Sequence, residues 1–149
     1  MTYSIFRHSL ILVTHTATAA TLRDHGIQPS AQRVAVAEYV LHTDEHPSAD
    51  QVFSRVKRTF PMLSRATVYN TLNLFVEKGI LRELVLSEGC VVFDPKTDAH
   101  HHFIDEGTGR IHDIPWQAVK VTKIDRLEGF DVSEYQVVIR GRRSAARRG

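Results

Sequence analysis

Residues 98–115, DAHHHFIDEGTGRIHDIP, place three consecutive histidines ahead of Asp105, Glu106 and Asp113. Imidazoles and carboxylates are the side chains that hold divalent ions of intermediate hardness. On a strand, alternate side chains share a face, so His100 and His102 point one way and His101 the other. The stretch EGTG (106–109) reads as a tight turn. Centred between Gly107 and Thr108, it sets His102 directly opposite Asp113. Cross-strand neighbours on one face lie close enough to share an ion. Two imidazoles and one carboxylate therefore converge by register alone. With no thiolate among them, the set favours iron(II), manganese(II) or zinc over copper(I) or an iron–sulfur cluster. A strand of solvated histidines, or of histidines satisfied by core hydrogen bonds, is the competing reading.

The elements that must position this cluster begin with helices over residues 16–83. SAQRVAVAEYVLHTD (30–44) starts at an N-cap serine after Pro29 and lines up Val34, Ala37, Val40 and Leu41. HPSADQVFSRVKRTF (46–60) offers Ser48 and Gln51 as a capping box, a face of Val52, Phe53, Val56 and Phe60, and Pro61 as its stop. SRATVYNTLNLFVEKG (64–79) starts at Ser64, buries Val68, Leu72, Phe75 and Val76, and ends on Gly79 as its C′ residue. GILRELVLSEGCVVFD (79–94) then alternates as strand, turn at 87–89, strand.

Three helices and a hairpin are the pattern of a winged helix-turn-helix, although three-helix units that only pack on other elements share it. The third helix presents Arg65, Ala66, Tyr69, Asn70 and Asn73 opposite its apolar face, side chains suited to base edges and phosphates. Beyond Asp94 the pattern is strand (99–105), strand (110–114), a helix over WQAVKVTKIDRLEG (116–129), and a strand (132–140). So small an α/β unit buries little by itself, and dimerisation is expected. The fold class is α+β: an N-terminal winged helix-turn-helix domain followed by a small α/β dimerisation domain. The divisions are an N-terminal extension (1–15), the winged-helix domain (16–92), a dimerisation and sensing domain (93–141) and a basic disordered tail (142–149).

Composition agrees with a globular protein, at 42% hydrophobic and 24% charged residues over 149. The apolar run SLILV (9–13) is too short to span a bilayer, and no signal-peptide cleavage pattern follows it. The single cysteine, Cys90, rules out an internal disulfide and any zinc site with two thiolates, and suits the reducing cytoplasm. It is expected as a buried strand residue rather than a sensor. The net charge of +2 depends on the last ten residues, RGRRSAARRG; without their five arginines the chain is acidic. That tail is either a loose arm for phosphate or a solvated end.

Over roughly residues 17–141 the chain resembles the Fur superfamily of metal-dependent bacterial repressors. The resemblance is carried by GIQPSAQR (26–33), HPSADQVF (46–53), SRATVYNTLNLFVEKGILRE (64–83), FDPKTDAHHHF (93–103) and IHDIP (111–115). It implies a cytoplasmic homodimer that binds an A·T-rich palindromic operator in double-stranded DNA, with no membrane association and no catalytic residues. It also implies a regulatory site of His46, Asp94, His100, His102 and Asp113, adding His46 and Asp94 to the register-derived three. Iron(II) or manganese(II) is the ion implied, with zinc able to substitute in vitro.

The departures from the family pattern are informative. Cysteine pairs for structural zinc are missing, so no structural zinc held by four cysteines is expected. Tyr135 stands where some relatives place an ancillary histidine ligand. Asn70 matches the peroxide-sensing PerR and haem-responsive Irr branches, the HHH run resembles Irr, and Asp113 resembles PerR. Two signals stay open, peroxide acting through iron-driven oxidation of His46 or His100, and haem bound by His100–His102. His101 is the spare histidine, open to haem, a secondary ion or solvent. A small metalloenzyme or storage protein is a third reading, disfavoured because no general base, nucleophile or phosphate loop stands near the cluster. A repressor whose site has decayed is a fourth, disfavoured because all five positions can still coordinate. For DNA, Tyr69 and Asn70 are assigned to base edges, Ser64, Arg65 and Thr67 to phosphate at the helix start, and Arg33 to phosphate more weakly.

Overall fold

A computed structural model describes residues 14–87 and 89–144, which fall into two compact units meeting at Thr97 and Asp98. The extension over 1–13 and the tail arginines beyond residue 144 lie outside the described residues; positions 14 and 15 already belong to a helix.

In the first unit α1 (14–24) turns Thr18 and Leu22 inward. Helix α2 (Ala31–Val40) is capped by Ser30, whose hydroxyl accepts the Arg33 N–H. It buries Val36, Ala37 and Val40, so Val36 takes the central place expected of Val34, which is half-buried. Helix α3 (Ala49–Val56) carries the full capping box of Ser48 and Gln51. Helix α4 (Arg65–Glu77) starts at Ser64 and buries Val68, Thr71, Leu72 and Phe75. Gly79, at φ 74°, takes the left-handed turn that a C′ glycine permits, and the Ile80 N–H reaches back to the Phe75 carbonyl. These faces meet in one core around Leu22, Val40, Val52, Leu72 and Phe75, each fully buried. Fully burying each such side chain contributes about 1.5–3 kcal/mol.

Strands β1 (Arg82–Ser87) and β2 (Cys90–Asp94) form the antiparallel wing, Arg82 pairing with Asp94 and Glu83 with Phe93. Burial rises along β2 from its turn end, so Cys90 is exposed rather than buried. The cysteine sits beside the register shift between Val85 and Ser87, where the ribbon leaves the core; this corrects the expectation.

The second unit is a three-stranded sheet in the order β4-β3-β5. Strand β3 (His100–Asp105) runs antiparallel to β4 (Ile111–Pro115) and parallel to β5 (Val138–Gly141). The helix expected over 116–129 does not form. Two single 3-10 turns, Trp116–Ala118 and Ile124–Arg126, stand there in otherwise irregular chain. Val119, Val121, Thr122 and Ile124 are β-branched and resist helix. Lys123 adopts φ 63°, a left-handed conformation that interrupts any continuous helix, and Pro115 supplies no side-chain cap.

Candidate metal centre and nucleic-acid interface

Each unit presents its own share of the expected ligands. In the first, the Phe93 N–H donates to the Pro47 carbonyl at 2.9 Å, tying β2 to the segment that enters α3. Pro47 follows His46 and Phe93 precedes Asp94, so that one backbone bond makes the two side chains neighbours. His46 Nε2 lies 3.5 Å from Asp94 Oδ2, and both side chains are only 3% exposed. The second carboxylate oxygen of Asp94 accepts the Lys96 N–H at 2.8 Å, which leaves Oδ2 turned to His46.

In the second unit the register is the expected one, with His102 opposite Asp113. His100 Nδ1 lies 2.7 Å from the Asp98 carbonyl and must donate to it, so Nε2 carries the lone pair. Nε2 sits 3.6 Å from Asp113 Oδ1. The His100 and His102 rings meet edge to face, with centroids 4.5 Å apart. His100 and His102 are buried and Asp113 is half-buried. A histidine whose far nitrogen is fixed by a carbonyl is oriented to ligate through the near one. Neighbouring donors on one ion stand roughly 3 Å apart, given metal–nitrogen and metal–oxygen bonds of about 2.1 Å. The donor atoms of His100, His102 and Asp113 lie within 4.8 Å of one another, so the set fits a divalent ion of intermediate hardness with small side-chain adjustments.

His101 is on the opposite face, as alternation requires, and it does not meet solvent. Its ring stacks on Trp116 with centroids 4.5 Å apart, and Tyr135 closes a small aromatic group at 6.3 Å. His101 Nδ1 accepts the Val137 N–H at 3.1 Å, while the Val137 carbonyl accepts the His102 N–H at 3.0 Å. The imidazole thereby acts as an extra rung of the β3–β5 ladder. An Nδ1 that accepts leaves the hydrogen on Nε2 in the neutral ring. Ligation of an ion through Nε2 would require that tautomer to change.

The turn between β3 and β4 is held by Asp105, which sits outside the ligand set that strand alternation picks out. Its carboxylate accepts the Gly107 N–H and the Thr108 hydroxyl, both at 2.9 Å. The bond from the Gly107 backbone N–H, and then that from the Thr108 hydroxyl, hold the Asp105 carboxyl below the usual value of 3.8. Gly109, at φ 73°, completes the turn, donating to the Asp105 carbonyl at 2.7 Å. The Asp-x-Gly spacing is the sequence signal for such a side-chain turn.

On the first unit, Arg65, Ala66, Tyr69, Asn70 and Asn73 are all exposed along α4. Ser64 Oγ accepts the Thr67 N–H at 3.1 Å and lies 2.8 Å from Thr67 Oγ1, so both hydroxyls serve the helix start. Arg33 Nη1 donates to the Gln28 carbonyl at 2.9 Å, which spends part of its guanidinium on packing. The assignment also missed Asp50 on α3, whose carboxylate accepts from both Arg65 and Tyr69. No one-dimensional pattern links positions 50, 65 and 69.

Known proteins resemble the chain in the same terms. The ferric uptake regulator family matches residues 24–140. The peroxide-responsive repressor PerR of Staphylococcus aureus (strain Mu50 / ATCC 700699) is 36% identical over 126 residues, covering 82% of this chain and 84% of that protein. The ferric uptake regulator of Francisella tularensis, solved with iron, superimposes with a TM-score of 0.66 at 26% identity, over 78% of this chain and 92% of its own. The peroxide stress regulator of Campylobacter jejuni gives a TM-score of 0.61 at 25% identity, over 77% and 87%.

Proposed function

The chain belongs to the ferric uptake regulator family, and from that premise we propose a cytoplasmic repressor of peroxide-stress or iron and haem homeostasis genes, working as a homodimer on A·T-rich palindromic DNA. It is a transcription regulator and not an enzyme. His100, His102 and Asp113 of the sensing unit, with His46 and Asp94 of the winged-helix unit, serve one regulatory iron(II) or manganese(II). The observation that carries this reading is the His100 ring, whose Nδ1 is fixed on the Asp98 carbonyl while Nε2 faces Asp113.

Two recognition helices of a dimer must match half-sites of fixed spacing. Ligands drawn from both units make the angle between the units depend on occupancy, and an ion that binds one angle better shifts the population toward it. Bound iron(II) would supply a one-electron reductant for hydrogen peroxide beside these imidazoles. His46 and His100 are the side chains expected to take the damage and so release the ion.

The test starts from metal analysis of protein purified from cytoplasm, with sedimentation to read the dimer. Iron-loaded and manganese-loaded protein are then treated with peroxide, and the His46 and His100 peptides weighed. One added oxygen in the iron sample only supports peroxide sensing. No oxidation, together with a Soret band that needs the 100–102 run, would move the signal to haem. Neither metal nor haem at stoichiometric protein would overturn the reading.

A further inference from the structure

This inference deepens the DNA-binding reading above and rests on it. Asp50 occupies the first turn of α3, where Ser48 is the N-cap. One of its oxygens, Oδ1, accepts both from Arg65 Nη1 and from the Tyr69 hydroxyl, the latter at 3.3 Å. Arg65 and Tyr69 stand one turn apart on α4, so a single carboxylate oxygen holds two side chains of the outward face. The Arg65 guanidinium also lies over the Phe53 ring, 4.9 Å from its centroid. Arg65 and Asp50 are 58% and 60% exposed as side chains, so a duplex can reach the pair.

We propose that Asp50 is a specificity-determining residue that occupies Arg65 as a stand-in for a DNA phosphate while holding Tyr69 beside it, and so holds down affinity for non-specific duplex. A carboxylate oxygen is, like a phosphate oxygen, an anionic acceptor for a guanidinium N–H. A duplex phosphate competes with Asp50 for the Arg65 Nη1 donor and for the guanidinium charge. An exposed ion pair is light, worth at most about a five-fold factor, so a well-seated duplex displaces it while a poorly seated one gains little. Asp50 touches no DNA itself; it is a positioning residue acting through Arg65 and Tyr69.

The test measures binding of manganese-loaded full chain to a mixed-sequence duplex across a salt series. Each newly neutralised phosphate steepens the log–log salt slope by about 0.9. Asp50→Asn is expected to bind roughly two- to five-fold tighter at low salt, with a slope steeper by about 0.9. Asp50→Glu, which keeps a carboxylate in reach, should restore the wild-type slope. In an Arg65→Ala background, Asp50→Asn should leave the slope unchanged. A steeper slope in both backgrounds would mean that removed negative charge alone is acting and would overturn the proposal, as would no steepening in either. Should Asp50→Asn fail to fold by circular dichroism, Asp50→Ser, another first-turn residue, replaces it. Wild-type protein showing no duplex binding would instead sink the DNA-binding reading itself.

Discussion

Replacing His101 separates two contributions that the sequence leaves merged. The ring is fully buried, stacked on Trp116 at 4.5 Å, and accepts the Val137 N–H at 3.1 Å. His101→Phe keeps a ring on Trp116 but leaves a buried N–H without an acceptor, a cost of about 1–3 kcal/mol. His101→Asn can keep an acceptor near Nδ1 but loses the aromatic pair, about 0.5–1.5 kcal/mol plus the space left behind. His101→Ala loses both, and about 3–5 kcal/mol follows. Trp116 is the only tryptophan in the chain, so its fluorescence reports unfolding of this unit directly. With a urea slope of about 2 kcal/mol per M, the Phe variant should lower the midpoint by roughly 0.5–1.5 M. Metal affinity at the His100, His102 and Asp113 set should stay close to wild type in the Phe variant, because His101 faces away from it. An unshifted midpoint in the Phe variant would refute the ladder role. Loss of metal binding without loss of stability would put His101 among the ligands.

Asp113→Asn should weaken manganese binding by about 100-fold or more, since even outer partners of a metal site cost about 10–100-fold, as read by competition with a chelator. Arg65→Ala should weaken binding to all duplexes alike, whereas Asn70→Ala should relax discrimination between operator variants; equal behaviour in a panel of altered duplexes would mean the roles are misassigned. Asp105 has a depressed carboxyl, so its ionised form stabilises the fold above its usual value of 3.8, and that contribution fades as pH falls through the lower folded value. Asp105→Asn should therefore lower the melting temperature at pH 7, and the difference from wild type should shrink in the acid range; a gap constant with pH would contradict the turn-holding role.

The hairpin register of the candidate site is legible in the sequence because strand periodicity and turn centring are local. The pairing of His102 with Asp113 needed only the position of the EGTG turn, and the structure has that register. The caps at Ser48 and Ser64 were legible for the same reason, each side chain acting within three residues. Apolar spacing over 116–129 looked helical, yet four β-branched residues and the left-handed Lys123 outweighed it. Cys90 was misplaced because strand alternation says nothing about where a wing leaves the core. Long-range partners were beyond reach: Asp50 with Arg65 and Tyr69, or His101 with Trp116 and Val137, become neighbours only through packing.

Selection of duplexes from a randomised pool, run with manganese-loaded and with chelator-treated protein, reads metal-dependent operator recognition itself. Loaded protein is expected to enrich an A·T-rich palindrome and stripped protein to enrich none. Enrichment of the same sequence by both forms, or of none by either, would contradict it.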